Sequence, residues 1–192
     1  MARCTSRLSD EELVARCRGG DHAAFTAIVD RYKDRVFWLV KRMVGDMDAE
    51  DLTQEAFLRA YRAMPALRTG ATLRTWLFRI AHNLCLTELA KRGRRGEHLS
   101  IEEEGDERLE PLLAQASKNL EERLDERDFA GRVLDQVQQL PVAYRTALTL
   151  YYMDEAKYEE IAEVMGIPLG TVKTYLHRAR LRLRQLVIGS GL

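Results

Sequence analysis

Apolar residues recur every three or four positions through most of the chain, the spacing of helix faces, and no sustained alternation suggests a strand. After Gly19-Gly20, Asp21 is placed to cap a long helix. Its apolar face is Phe25, Ile28, Val29, Tyr32, Val36, Leu39, Val40 and Met43, and Gly45 ends it. Asp48 is placed to cap a second helix with Leu52, Ala56, Phe57, Ala60, Tyr61 and Met64 inward, and Pro65 stops it. A third begins near Thr72 and carries Leu73, Trp76, Leu77, Ile80 and Ala81; a short fourth is expected over residues 87–92.

The periodicity fades over residues 93–116, where glycine and a run of Glu leave few large apolar side chains. Like charges there repel and hinder a packed core, so this stretch reads as a linker, with an acidic surface helix as the alternative for its N-terminal half. The pattern resumes over 120–140 with Leu124, Val133, Leu134, Val137 and Leu140. Pro141 suits the first turn of a further helix containing Ala147, Leu148, Leu150 and Tyr151. Two more helices, 158–165 and 169–186, flank Gly166-Ile167-Pro168. The pattern predicts an all-α chain: two small helical domains, 1–95 and 118–192, joined by a flexible acidic linker, 96–117, with a helix-turn-helix at the C-terminal end.

Length and composition agree with that division. The chain has 192 residues, 46% hydrophobic and 31% charged, enough for one or two small soluble domains. Its apolar stretches are too short to span a bilayer, and residues 1–20 lack the apolar core of a signal peptide, so a cytoplasmic protein without membrane insertion is expected. Basic and acidic residues number 30 each, but they are unevenly placed. Between Glu97 and Asp128 twelve acids face four bases, a segment near −8, which leaves the flanks together near +8 with basic clusters at 91–95 and 173–184. Cys4, Cys17 and Cys85 form no C-x-x-C pair. His82 and Cys85 share a helix spacing, but two ligands are too few for a closed zinc site, so no metal and no cofactor is expected. There is no Gly-rich phosphate loop and no nucleophile–base pair, which argues against an enzyme.

The segment from Tyr158 to Arg180 carries the strongest functional signal. Ile161, Ala162 and Met165 give the first helix an inner face, Gly166 permits the reversal, Ile167 and Val172 plug the space between helices, and Leu176 and Ala179 continue the buried stripe. Thr171, Lys173, Thr174, His177, Arg178 and Arg180 are left outward. In a helix-turn-helix the start of the second helix enters the major groove. Lys173 and Arg178 can donate to guanine edges, Thr174 and His177 can reach bases or phosphates, and Thr171 and Arg180 suit phosphate.

Further upstream stand Gly20-Asp21-His22-Ala23-Ala24-Phe25, then Ala49-Glu50-Asp51-Leu52-Thr53-Gln54-Glu55-Ala56-Phe57, then Thr75-Trp76-Leu77-Phe78-Arg79-Ile80-Ala81-His82-Asn83. In this order and spacing, with the helix-turn-helix, the chain resembles the extracytoplasmic-function (group IV) sigma factors of bacterial RNA polymerase over nearly its whole length. The resemblance implies two helical domains, regions 2 and 4, and a factor that directs promoter recognition, melting and initiation. The partners it implies are core RNA polymerase (the largest-subunit clamp helices and the flap), promoter DNA and an anti-sigma factor governing a stress regulon. Asp51, Gln54, Glu55 and Arg59 form a polar stripe on their helix; by resemblance it docks on the clamp helices. Asn83 has amide groups suited to an unpaired base edge, and the resemblance makes it and an 84–87 loop a pocket for an extruded minus-ten base. Arg79 lies on the same helix, and Trp76 is expected to be largely core, with a promoter-melting contact as the lesser alternative. Lys91, Arg92, Arg94 and Arg95 are expected on phosphates. Two departures stand out: relatives often carry Asp and then Arg after the Asn, where this chain has Leu86-Thr87-Glu88, and Ala156-Lys157 replaces their Leu-Ser pair. A LuxR-like activator is the rival reading, but residues 1–150 lack the strand–helix alternation of a receiver; a decoy for anti-sigma factors is another, opposed by the basic recognition helix.

Overall fold

A computed structural model describes residues 8–67, 72–94 and 136–189. The acidic linker and most of the 120–140 helix expected from the sequence lie outside the described residues. Contacts divide those residues into two compact units, 8–94 with 159–166, and 136–158 with 167–189. Every regular element among them is helical.

The first unit opens with α1 (Asp10–Arg18), which the apolar period did not reveal because it buries a single residue, Leu13. A capping box fixes its start: Glu12 N–H donates to Ser9 Oγ at 3.2 Å and Ser9 N–H to Glu12 Oε2 at 2.7 Å. The next helix, α2 (His22–Val44), begins as the sequence indicates, with Asp21 Oδ1 accepting from the N–H groups of Ala23 (2.9 Å) and Ala24 (3.3 Å). Gly45 ends it at φ +88°, a backbone conformation a side chain would strain. Asp10 fastens α1 to α2: it accepts from Arg31 Nη1 at 2.5 Å and from the buried Tyr32 hydroxyl, while Arg31 Nη2 donates to Leu8 O at 2.6 Å.

In α3 (Ala49–Ala63) Ala49, Ala56, Phe57 and Ala60 are buried, and a short 3-10 turn at Met64–Ala66 containing Pro65 follows it. Tyr61, expected inside, stands 43% exposed, because the turn of the helix that buries Phe57 and Ala60 carries it past the core edge. Asp48 sits at the N-cap position without capping; its carboxylate pairs with Arg92 instead. The helix after it, α4 (Leu73–Arg94), is continuous. The expected break after Asn83 and the separate 87–92 helix are therefore corrected: no glycine or proline intervenes, and Leu77, Ala81, Leu84, Cys85 and Leu89 extend one buried stripe through the join. Thr75, Phe78 and His82 are buried as well, for α4 packs against both α2 and α3.

In the second unit Pro141 precedes α5 (Val142–Leu148), its carbonyl accepting from Tyr144 and Arg145 N–H, both at 3.0 Å. A π-helical turn (Thr149–Met153) follows and is closed by Ala156 N–H donating to Leu150 O at 3.0 Å. The chain continues into α6 (Tyr158–Met165), which apart from Tyr158 is grouped with the first unit, then Gly166 at φ +67° and α7 (Leu169–Gly189) of the second; these are the two helices of the C-terminal helix-turn-helix segment. In α6 the deeply buried residues are Ile161 and Val164; Ala162 and Met165, expected as inner residues with Ile161, are half-buried. Val172, Leu176, Ala179, Leu183 and Val187 form the buried stripe of α7, which packs on α5 with Tyr144 and Tyr175 rings 5.4 Å apart.

Candidate nucleic-acid and partner-binding surfaces

The polar stripe of α3 is on the surface. Asp51, Gln54 and Arg59 are exposed, Glu55 is half-buried, and Arg59 Nε donates to Glu55 Oε1 at 2.7 Å, an i,i+4 pair. An exposed helical pair of this kind contributes only a few tenths of a kcal/mol, so little energy opposes its re-pairing with a partner. Sequence reasoning missed two apolar members of the surface. Leu58, 51% exposed, lies one turn beyond Gln54 and Glu55, and that spacing was the signal for it. Tyr61 is fixed rather than loose: its hydroxyl meets His22 Nδ1 at 2.8 Å and its ring lies edge-on to Phe25 at 4.9 Å.

On α4, Arg79, Asn83, Leu86, Thr87 and Ala90 are exposed at spacings of three and four, one narrow strip along the helix. Asn83 is thus a mid-helix residue, and the residues after it are helix and not loop; Thr87 Oγ1 donates to Asn83 O at 2.9 Å. Trp76 is half-buried. Exposed Lys91 lies 3.3 Å from Glu88. Arg92 turns inward: Nη1 donates to Val44 O at 2.7 Å and Nη2 pairs with Asp48, which stitches the end of α4 to the α2–α3 connection. The Arg94 side chain and Arg95 lie outside the described residues. Behind the strip, Cys85 is fully buried, and burial pushes its thiol up to about 12, which leaves it no thiolate character near neutral pH.

On α7, Lys173 and Thr174 are exposed near the start of the helix, and Thr171, His177 and Arg178 are half-buried. Thr174 Oγ1 donates to Gly170 O at 3.0 Å. Arg182 and Arg184 lie further along, and both are exposed. Arg180 is engaged within the unit: Nε donates to Tyr152 Oη at 3.0 Å, and its guanidinium carbon stands 5.3 and 5.6 Å from the Tyr151 and Tyr152 ring centroids. Its partners come from the π-helical turn, which periodicity does not distinguish from ordinary helix.

Both domains match families of known proteins. Residues 28–95 match the Sigma-70 region 2 model and residues 130–183 the Sigma-70, region 4 model, so in class the chain is a sigma-70-type factor. It is 36% identical to the ECF RNA polymerase sigma factor SigW of Bacillus subtilis, covering 90% of this chain and 93% of that one. It is 40% identical to the RNA polymerase sigma-H factor of Pseudomonas aeruginosa, over 89% and 90%. In fold it is similar to the sigma factor RpoE of Bartonella quintana, solved with the anti-sigma factor NepR, at TM-score 0.62 and 24% identity over 85% of this chain and 96% of that one. The chain belongs to the extracytoplasmic-function family of RNA polymerase sigma factors. Its function is that of a transcription initiation factor. Among the described residues no helix is long and apolar enough to cross a membrane.

Proposed function

We propose that this sigma factor divides its work among three helix faces: α3 docks on the clamp helices of core polymerase, the outer strip of α4 reads the minus-ten element, and the first turns of α7 read the minus-35 element. The domains are 1–95 and 118–192, the second also meeting the flap, and residues 96–117 tether them. The docking face is Asp51, Gln54, Glu55 and Arg59. Asn83 meets an unpaired base, Arg79 and the partly exposed Trp76 flank it, and Lys91, Arg94 and Arg95 lie along the strand's phosphates. Lys173, Thr174, Thr171, His177 and Arg178 face the minus-35 duplex. Arg92 and Arg180 serve these faces as supports through Asp48 and Tyr152. The factor has no catalytic activity of its own, works in the cytoplasm and is restrained by an anti-sigma protein until a stress releases it.

The observation that carries this reading is the exposure of Lys173 and Thr174 at the head of α7, on the side away from buried Val172, Leu176 and Ala179. That is where a recognition helix presents base-reading and phosphate-binding groups. Run-off transcription with core enzyme on randomised promoters tests it. Lys173→Ala is expected to weaken use of all templates and shallow the salt dependence if Lys173 holds phosphate, or to relax one minus-35 position by about 1–3 kcal/mol if it reads a base. No promoter-dependent transcript from the full-length chain with core enzyme would overturn the reading in favour of a decoy.

A further inference from the structure

Arg180 follows Lys173 on α7 by two helical turns, nearly in line with it, and borders the buried stripe of Val172, Leu176, Ala179 and Leu183. Its guanidinium is held by tyrosines of the same unit. Nε donates to Tyr152 Oη at 3.0 Å, and the guanidinium carbon stands 5.3 Å from the Tyr151 ring centroid and 5.6 Å from that of Tyr152. The two rings meet edge to face at 4.8 Å, and Tyr158 backs Tyr151 at 5.5 Å. Consecutive tyrosines can flank one cation because they stand in the π-helical turn, where successive side chains diverge less than in an α-helix. The buried stripe holds α7 through apolar contacts, which are non-directional and tolerate a small roll of the helix. A hydrogen bond and a cation over a ring are directional. A roll of about 15° would carry a side-chain end about 6 Å from the helix axis through about 1.5 Å, which breaks a hydrogen bond to a base edge.

We propose that Tyr151, Tyr152 and Arg180 form a socket that sets the roll of the recognition helix: Arg180 is a positioning residue for minus-35 recognition, acting through the tyrosines, and not a phosphate ligand. With the socket intact, Lys173 and Thr174 are presented to the duplex at one angle. Without it the helix persists on its apolar stripe, but the angle is no longer fixed and discrimination between bases falls. This rests on the reading of α7 as the helix that enters the minus-35 duplex.

The test uses full-length protein with core polymerase on templates in which each minus-35 position is varied through all four bases, scored as the ratio of transcripts between bases. The ratio is internal to each preparation, so a variant with a smaller folded fraction loses signal on all templates alike. Promoter affinity of the same holoenzymes is measured over a salt series. Tyr152→Phe keeps the ring and removes the acceptor, and is expected to flatten the ratios by about twofold or more, the low end of one hydrogen bond. Arg180→Lys keeps the charge and loses the planar fork, and is expected to flatten them by about fivefold or more with the salt slope unchanged. In an Arg180→Lys background, Tyr152→Phe should change the ratios no further. Full preference in either single variant overturns the proposal, and so does a fall in output on all templates with the ratios intact, which makes the socket a matter of stability alone. Intact ratios in Arg180→Gln, with a salt slope shallower by about one, overturn it in favour of a phosphate contact. No preference at any minus-35 position in the wild type overturns the reading of α7 itself, and the proposal with it.

Discussion

The buried His82 of α4 sets a pH limit on the first unit. The His82 pKa falls from 6.5 to about 4 on folding because burial disfavours the charged ring. The unfolded chain therefore takes up a proton near pH 6.5 that the folded chain refuses until about pH 4, so in this window the unfolded state binds more protons and stability rises with pH. The contribution is complete above about pH 6.5, declines as pH falls, and is fully lost below about pH 4. A tenfold change in proton affinity corresponds to about 1.4 kcal/mol, so the whole window spans roughly 3 kcal/mol, of which about 2 kcal/mol disappears between pH 7 and pH 5. Such a loss is a large part of the stability of a small domain. Urea unfolding followed by circular dichroism, on wild type and His82→Leu across this range, measures it. Carboxylates and the other histidines titrate in both proteins and cancel in the comparison. The wild type should lose about 2 kcal/mol more than the variant between pH 7 and pH 5. Parallel curves for the two proteins would refute the reasoning and mean that His82 titrates in the folded state near its ordinary value.

Three further outcomes follow from the packing. Asp10→Ala removes the acceptor of both Arg31 and the buried Tyr32 hydroxyl, and chemical unfolding should register a loss of about 1–3 kcal/mol, with fraying of α1 seen in amide exchange. Arg92→Ala and Asp48→Ala should each destabilise, and a double-mutant cycle should give a coupling energy of about 0.5–3 kcal/mol; strict additivity would mean that the pair does not operate in solution. Gly170→Ala places a Cβ where nothing lies within 4 Å and should raise the melting temperature modestly, by the roughly 0.5–1 kcal/mol that separates Ala from Gly in a helix. If the first turn of α7 lies against DNA, the same change should lower transcription from promoters dependent on the minus-35 element.

How far the sequence disclosed this depended on the range of each interaction. The starts and ends of α2 and α3 were legible because their signals are local: Asp21 caps within three residues, and Gly45 and Pro65 act at their own positions. The exposed stripe of Asp51, Gln54 and Arg59 was legible for the same reason, since a helix face follows from spacing. In contrast, α1 announced itself only through the Ser9–Glu12 box, too small a pattern beside the apolar period. The continuity of α4 was obscured by treating Asn83 as a stop, although Leu84, Cys85 and Leu89 already carried the stripe onward. Arg92 and Arg180 were read as outward because their charges suit DNA, but their partners lie 44 and 28 residues away in the chain, where no local pattern reaches.

The position of α4 limits what can vary along its exposed strip. A base-reading residue on a loop can adapt its backbone to its ligand. Asn83 stands in the middle of a helix gripped by α2 and α3, with Leu84 and Cys85 buried immediately after it, so its backbone cannot shift without opening the core. What remains adjustable is the choice of side chain along the strip, at Arg79, Asn83, Leu86 and Thr87. If this strip reads the minus-ten element, changes in promoter preference should therefore be found at positions 79, 83, 86 and 87, where exposed side chains can be exchanged with the helix intact. Substitutions of comparable size at 84 and 85 should lower stability and output on every template together, with no change in the order of preference.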